Sequence, residues 1–177
     1  ALSGLASGAE MRIYDQVSYG RLASLYTLDA RQYRDAQVCT RNGKSGASTV
    51  DPATCPAWND PARSLLGQQQ EAWLEARLGA SAGRGGPWNV LGQQTLFGQR
   101  DFQAGAGQTL WNDGWDGYTA ARIRLTGALQ KSAAGTPVFL GGDVHENWVG
   151  HVKADYANPA SVAIGVEFCG TSISSRS

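Results

Sequence analysis

The run Val138-Phe139-Leu140-Gly141-Gly142-Asp143-Val144-His145-Glu146-Asn147-Trp148 constrains this chain more than any other. An apolar strand breaks at two glycines, and Asp, His, Glu and Asn then fall within five positions. A buried strand fixes the backbone while the loop after it projects polar groups, and ligands in open α/β sheets gather just beyond the carboxyl ends of strands. Asp143 and His145 are two apart, so an extended backbone places both side chains on one face. A carboxylate oxygen and an imidazole nitrogen aimed at one point suit a catalytic metal ion. The glycines allow a tight turn and leave room for a substrate oxyanion. The plainer alternative is a Gly-Gly turn whose Asp caps a backbone N–H and whose His packs beside Trp148.

Around this segment, strand and helix patterns alternate. Leu22 to Arg31 is rich in strand formers, and a helix is predicted from Pro61 or a little later. There Leu66, Gln70, Trp73, Leu74 and Leu78 recur at helical spacing, with Asp60 and Pro61 as cap and first turn. The Ser-Ala-Gly-Arg-Gly-Gly-Pro run ends it. Trp88 to Leu91, extending towards Phe97, is a short strand, and residues 98–117 are mostly loop. Thr119 is placed to cap a second helix reaching Lys131, with Ile123, Leu125 and Leu129 as its buried face. Trp148 to Lys153 and Ser161 to Cys169 are two further strands. Interspersed helices and strands give an α/β or mixed α+β class.

Composition narrows the possible functions. Fifteen Lys and Arg balance fifteen Asp and Glu, which argues against a basic nucleic-acid surface or a polybasic membrane anchor. Apolar runs are only a few residues long, so no membrane span is predicted. The opening ALSGLASGAEMR lacks the charged and hydrophobic regions of a secretory leader. Glycine is in excess at 23 of 177 residues, against an ordinary share of roughly 7%. Of three cysteines, Cys39 and Cys55 flank a polar loop that a bridge would close, contributing roughly 3 kcal/mol and implying an oxidising compartment. Two free thiols are the alternative. Cys169 reads as a buried thiol.

Two other clusters carry polar chemistry. Asp29, Arg31 and Tyr33 share one face of an extended segment, and the planar fork of Arg31 suits a phosphate or a carboxylate. A structural Asp–Arg ion pair is the bland account. Trp111-Asn112-Asp113-Gly114-Trp115-Asp116-Gly117-Tyr118 mixes acids with aromatics. Such a run suits the lining of a substrate entrance or a calcium ion, although it lacks the EF-hand pattern; its tryptophans either stack on a sugar, as in a secreted carbohydrate-binding module, or pack the loop onto the domain. Glu167 and Asp143 carry no signature as an acid–base pair, and His151 reads as a surface imidazole. No G-x-S-x-G, Walker A or HExxH motif is present, and two histidines cannot build a His-rich zinc site.

In order along the chain, LYTLDARQYRD, the Cys39–Cys55 loop, RSLLGQQQEAWL, PWNVLGQQTLF, WDGYTAARIRL, LGGDVHENW and VEFCGTSISS resemble the PhoD-like alkaline phosphatases of the metallophosphoesterase superfamily. The resemblance runs from Ile13 onward. It implies a two-sheet β-sandwich flanked by helices, with a metal cluster at the strand ends. It also implies export and hydrolysis of phosphate monoesters and diesters with ferric iron and calcium, through a metal-activated oxygen nucleophile. Asp143 and His145 match the family's late metal-binding motif, and Arg31 is the candidate for phosphate contact or support of the ligands. Asn147 and Gln94 are expected at the site's edge. The family's early Asp motif, Cys iron ligand and W-D-D-H-E-like segment have no counterpart here. The expectation is therefore that residues 1–177 form the C-terminal portion of one catalytic domain, cut at both ends. It would hold part of the active site and be inactive unless joined to the N-terminal half.

Overall fold

The computed structural model describes residues 12–43, 46–82, 88–132 and 135–171. Its frame is a six-stranded sheet in the order β1-β2-β4-β6-β8-β7. These strands are β1 (Asp15–Tyr19), β2 (Ala23–Thr27), β4 (Trp88–Gly92), β6 (Pro137–Gly141), β7 (Trp148–Lys153) and β8 (Ala163–Cys169). The four central strands β2, β4, β6 and β8 run parallel, with β1 and β7 antiparallel at the two edges. Parallel neighbours need a crossover. Helix α1 (Gln68–Ala82) links β2 to β4, and α2 (Thr119–Ser132) links β4 to β6. The class is α/β, as the alternating patterns predict.

The two faces of this sheet differ sharply. On one, Tyr26, Leu91 and Phe139 lie side by side across the central strands, buried in a core with Leu74 and Leu78 of α1 and Leu125 and Leu129 of α2. The next residue in that row is the buried carboxylate Glu167. On the other face, Leu140, Phe168 and Val149 are also adjacent, yet Phe168 is 48% and Val149 75% exposed. On this side the six-stranded sheet therefore has a bare apolar face.

Several local expectations change. Helix α1 begins at Gln68 rather than near Pro61. Asp60 caps only a turn, through the N–H of Ala62, and Leu65 and Leu66 run into the core instead. Arg63 donates to the carbonyls of Gly117 and Ala36, holding that segment out of a helix. Gly67, at φ +75°, makes the turn into α1, where a Cβ would come within 2.8 Å of Tyr33. Most of the glycine run after α1 lies outside the described residues. Thr119 begins α2 but does not cap it; its hydroxyl donates to the Asn59 side chain. Ile123, expected to be buried, is 61% exposed. Strand β2 ends at Thr27, earlier than its apolar pattern suggests, and β4, at Trp88–Gly92, is the expected short strand without the extension towards Phe97. Each stops because the next residues turn to build the site.

Cys39 and Cys55 are bridged, closing a sequence separation of 16. The loop between them carries β3 (Thr49–Val50), which pairs antiparallel with β5 (Leu110–Trp111). Around that ribbon Val50, Cys55, Trp58 and Leu110 form a second small core. Asn112 ties the ribbon together, accepting from Ser48 N–H and donating to the Val38 carbonyl. The disulfide therefore braces the segment that leads directly into Asp113. Serine at both cysteines is expected to cost about 3 kcal/mol in denaturant unfolding. A change below about 0.5 kcal/mol, the scale of an ordinary surface substitution, would contradict this bracing role.

Candidate active site

Because β2, β4 and β6 are parallel, the loops after Thr27, Gly92 and Gly141 all emerge at one edge of the sheet. The first carries Arg31, the second the residues 93–98, and the third Asp143 and His145. Gly141 permits this convergence: a Cβ there would lie 2.3 Å from the Thr95 carbonyl oxygen. Its role is close approach of two backbones, since neither Gly141 nor Gly142 has a positive φ. Asp143 and His145 are the left-handed residues instead, at φ 67° and 59°. The extended backbone expected between them is absent. A left-handed conformation is costly for residues with a Cβ and tends to mark functional sites. Its effect here is that both side chains line one cavity of about 520 Å³, together with Arg31 and Asp113.

Arg31 spans the cavity mouth. One guanidinium nitrogen reaches Asp143 at 2.5 Å and the other reaches Asp113 at 2.8 Å. The Arg31–Asp143 pair is solvent-exposed and contributes little to stability; its importance lies in placing a cation beside the His145 loop. Asp113 is the firmer anchor. It accepts from Arg31, from Arg34 at 2.5 Å and from Gln37 at 2.5 Å. Burial alone would raise its carboxyl, but hydrogen bonds from Gln37 and Arg31 and both arginine charges prevail. They hold it below the ordinary carboxylate range.

The support beneath Arg31 is polar and buried. Asp29 accepts the N–H groups of Arg31 and Gln32 through one oxygen, while its other oxygen has no partner among the described residues. Gln70 of α1 accepts from Asp29 N–H and donates to its carbonyl. Gln94, expected at the cavity edge, does parallel work: it accepts from Ala30 N–H and donates to the Leu28 carbonyl. Both ends of its amide are taken up by that turn, so it positions Arg31 and does not face the cavity. Asn147 likewise accepts from Thr171 N–H and stands outside the cavity lining.

Behind the cavity, Asp116 and Arg122 form a buried ion pair at 2.7 Å. Burial nonetheless pushes the Asp116 carboxyl up against the pull of Arg122. Glu167 is also pushed up by burial, and it accepts the N–H groups of Phe97 and Gly98. Glu167 therefore holds the 97–98 backbone and forms no acid–base pair with Asp143. Cys169 is buried, and its thiol is pushed up to about 11, chiefly by burial. His151 lies exposed on the bare sheet face. In the Trp111–Tyr118 loop, Trp115 and Tyr118 are fully buried and pack the domain, whereas Trp111 is 39% exposed.

Asp113 belongs to the acidic and aromatic run 111–118 that the sequence marks, but its pairing with Arg31, 82 positions away, has no local signal, and neither has the part played by Arg34. The usable signal was the paired arginines of RQYR, which require a carboxylate from elsewhere.

A family profile described as "PhoD-like phosphatase" matches residues 3–177. The chain belongs to that family. It is 38% identical over 174 residues to alkaline phosphatase D of Bacillus subtilis (strain 168), covering 98% of this chain and 28% of that protein. A solved structure described as "Structure of PhoD" superposes with a TM-score of 0.82 at 37% identity, covering 99% of this chain and 31% of the other. As a member of the PhoD-like family, the chain spans less than a third of the length of these relatives. Among the described residues no three His, Cys, Asp or Glu side chains converge on a point. Asp143 and His145 are two suitable donors, but by themselves they do not make a metal site.

Proposed function

We propose that this chain contributes one wall of the active site of a metal-dependent hydrolase of phosphate monoesters and diesters. The observation that carries the reading is the convergence of Arg31, Asp143 and His145 on one cavity in a PhoD-like chain. The remaining ligands, and the iron and calcium implied by the family resemblance, would come together with the part of the relatives that lies beyond this chain's match. A bound metal would supply positive charge to offset that of the phosphoryl group. Asp143 and His145 provide donors for it. Arg31, anchored by Asp113, would donate guanidinium N–H groups to phosphoryl oxygens.

The bare face of the sheet supports the same reading. An apolar surface containing Leu140, Phe168 and Val149 is unfavourable in water. We assign it to packing against the N-terminal half of the same catalytic domain, the second sheet of the sandwich. The Cys39–Cys55 bridge supports export to an oxidising compartment. No helix among the described residues is long and apolar enough to cross a membrane.

The test uses the extended protein, with this segment carried in a chain of its relatives' length. It is assayed on p-nitrophenyl phosphate and bis-p-nitrophenyl phosphate, before and after chelation. Turnover of both, lost on chelation and restored by metal, is expected. Absent turnover, or turnover indifferent to chelation, would overturn the proposal.

Asp113 gives a separate prediction. Because its carboxyl lies below the usual range, the anchor for Arg31 is intact above that range and is lost only as pH falls below it. Asp113→Asn removes it at every pH. Relative to wild type, kcat/KM should fall about 10- to 100-fold, a size typical for groups that orient ligands. The loss should persist at neutral and alkaline pH. A variant indistinguishable from wild type would show that Arg31 needs no anchor.

A further inference from the structure

The cavity has a second wall that phosphate chemistry does not use. It is also lined by Arg100, Phe102 and Trp111. Phe102 is 47% and Trp111 39% exposed, although both are large apolar rings. Neither is loosely held. Phe102 N–H donates to the Thr109 carbonyl, and the Asp101 carboxylate accepts from Thr109 and Gln103 N–H groups, closing the loop that carries Phe102. Trp111 stands in β5, paired with Thr49 inside the disulfide-braced ribbon. Arg100 ties this wall to the loop that follows His145: its guanidinium rests 4.5 Å from the Phe102 ring centre and 5.2 Å from that of Trp148, and it pairs with Glu146 at 3.1 Å.

Resting on the phosphoester hydrolysis proposed above, we infer that Phe102 and Trp111 bind a flat aromatic substituent of the phosphate ester, an aryl ring or a nucleobase. Phe102 and Trp111 share the lining of this one cavity with Arg31, Asp143 and His145, so a ring seated on them would belong to the same ester whose anion meets Arg31. A ring stacked on these faces gains contact that an aliphatic group of the same ester cannot match. Arg100, held between the Phe102 ring and Glu146, adds positive charge to the same cavity lining. The exposure of both rings follows directly: they are mounted rigidly at a site that a substrate fills in part.

The test keeps the leaving group constant and varies the other substituent. The extended protein is assayed on methyl, phenyl and thymidine-5′ p-nitrophenyl phosphates. Wild type should prefer the phenyl and thymidine esters to the methyl ester, and Phe102→Ala or Trp111→Ala should reduce that preference about tenfold. A gain confined to the phenyl ester assigns the wall to aryl groups; a gain for thymidine assigns it to nucleobases. If an alanine variant unfolds, Phe102→Leu and Trp111→Leu decide, because they keep apolar bulk but remove the stacking face. A ratio unchanged in the leucine variants would overturn the inference and indicate that other parts of the polypeptide cover these rings. No hydrolysis of any ester by wild type would instead overturn the underlying function.

Discussion

His145→Ala in the extended protein should lower turnover of p-nitrophenyl phosphate by at least about 100-fold, since even groups that merely orient a metal's ligands contribute 10- to 100-fold. Bound metal, measured by elemental analysis, should fall with it. His145→Gly separates this role from a structural one. The residue holds φ 59°, a conformation that glycine adopts without strain. Relief of the strain should leave the protein as stable as wild type or more so, by up to about 1 kcal/mol, while turnover and metal are lost. A glycine variant that keeps both would show that the imidazole serves no function. One that loses stability would show that it packs the loop, as the plainer reading of Gly-Gly-Asp-Val-His supposed.

The second large effect is expected at Arg31. Arg31→Ala removes the guanidinium that pairs with Asp143 and Asp113 at the cavity, and loss of a donor to a transition-state oxyanion costs about 10²- to 10³-fold in kcat. Arg31→Lys should recover only part, because an ammonium is a point charge without the planar fork. The pattern separates two roles. If Arg31 only neutralised Asp143, lysine would restore most of the activity. If it grips phosphoryl oxygens through both nitrogens, the lysine variant stays well below wild type. Stability should change little in either variant, since the guanidinium is partly exposed in both of its ion pairs.

Much of this architecture is legible along the chain because it is local. The buried strand before Gly141, the register of Leu74 and Leu78 and the polar loop bounded by two cysteines can all be read in short windows. What was misread depends on distant partners. The stretch after Asp60 has helical spacing, but Arg63 finds the Gly117 carbonyl and holds the backbone away from a helix. Gln94 has the chemistry of a site-edge residue, yet the Leu28–Ala30 turn takes both ends of its amide. Strands β3 and β5 are two residues each and exist only because they pair across 60 positions. Asp143 and His145 share one cavity, but through a different geometry from the one their spacing suggests. Alternation along an extended strand was expected to aim them together, and a pair of left-handed residues does so instead.

The central claim is that a phosphate ester is bound between Arg31 and the Asp143–His145 loop. It is tested most directly by a crystal structure of the extended, metal-loaded protein soaked with inorganic phosphate. The account predicts a phosphate in the 520 Å³ cavity, within hydrogen-bond distance of both Arg31 guanidinium nitrogens, with metal density at Asp143 and His145. A larger groove of about 630 Å³ lies between α1 and α2, lined by Glu71, Arg124 and Lys131. Phosphate there, with Arg31 still paired to Asp143 and no metal on His145, would contradict it.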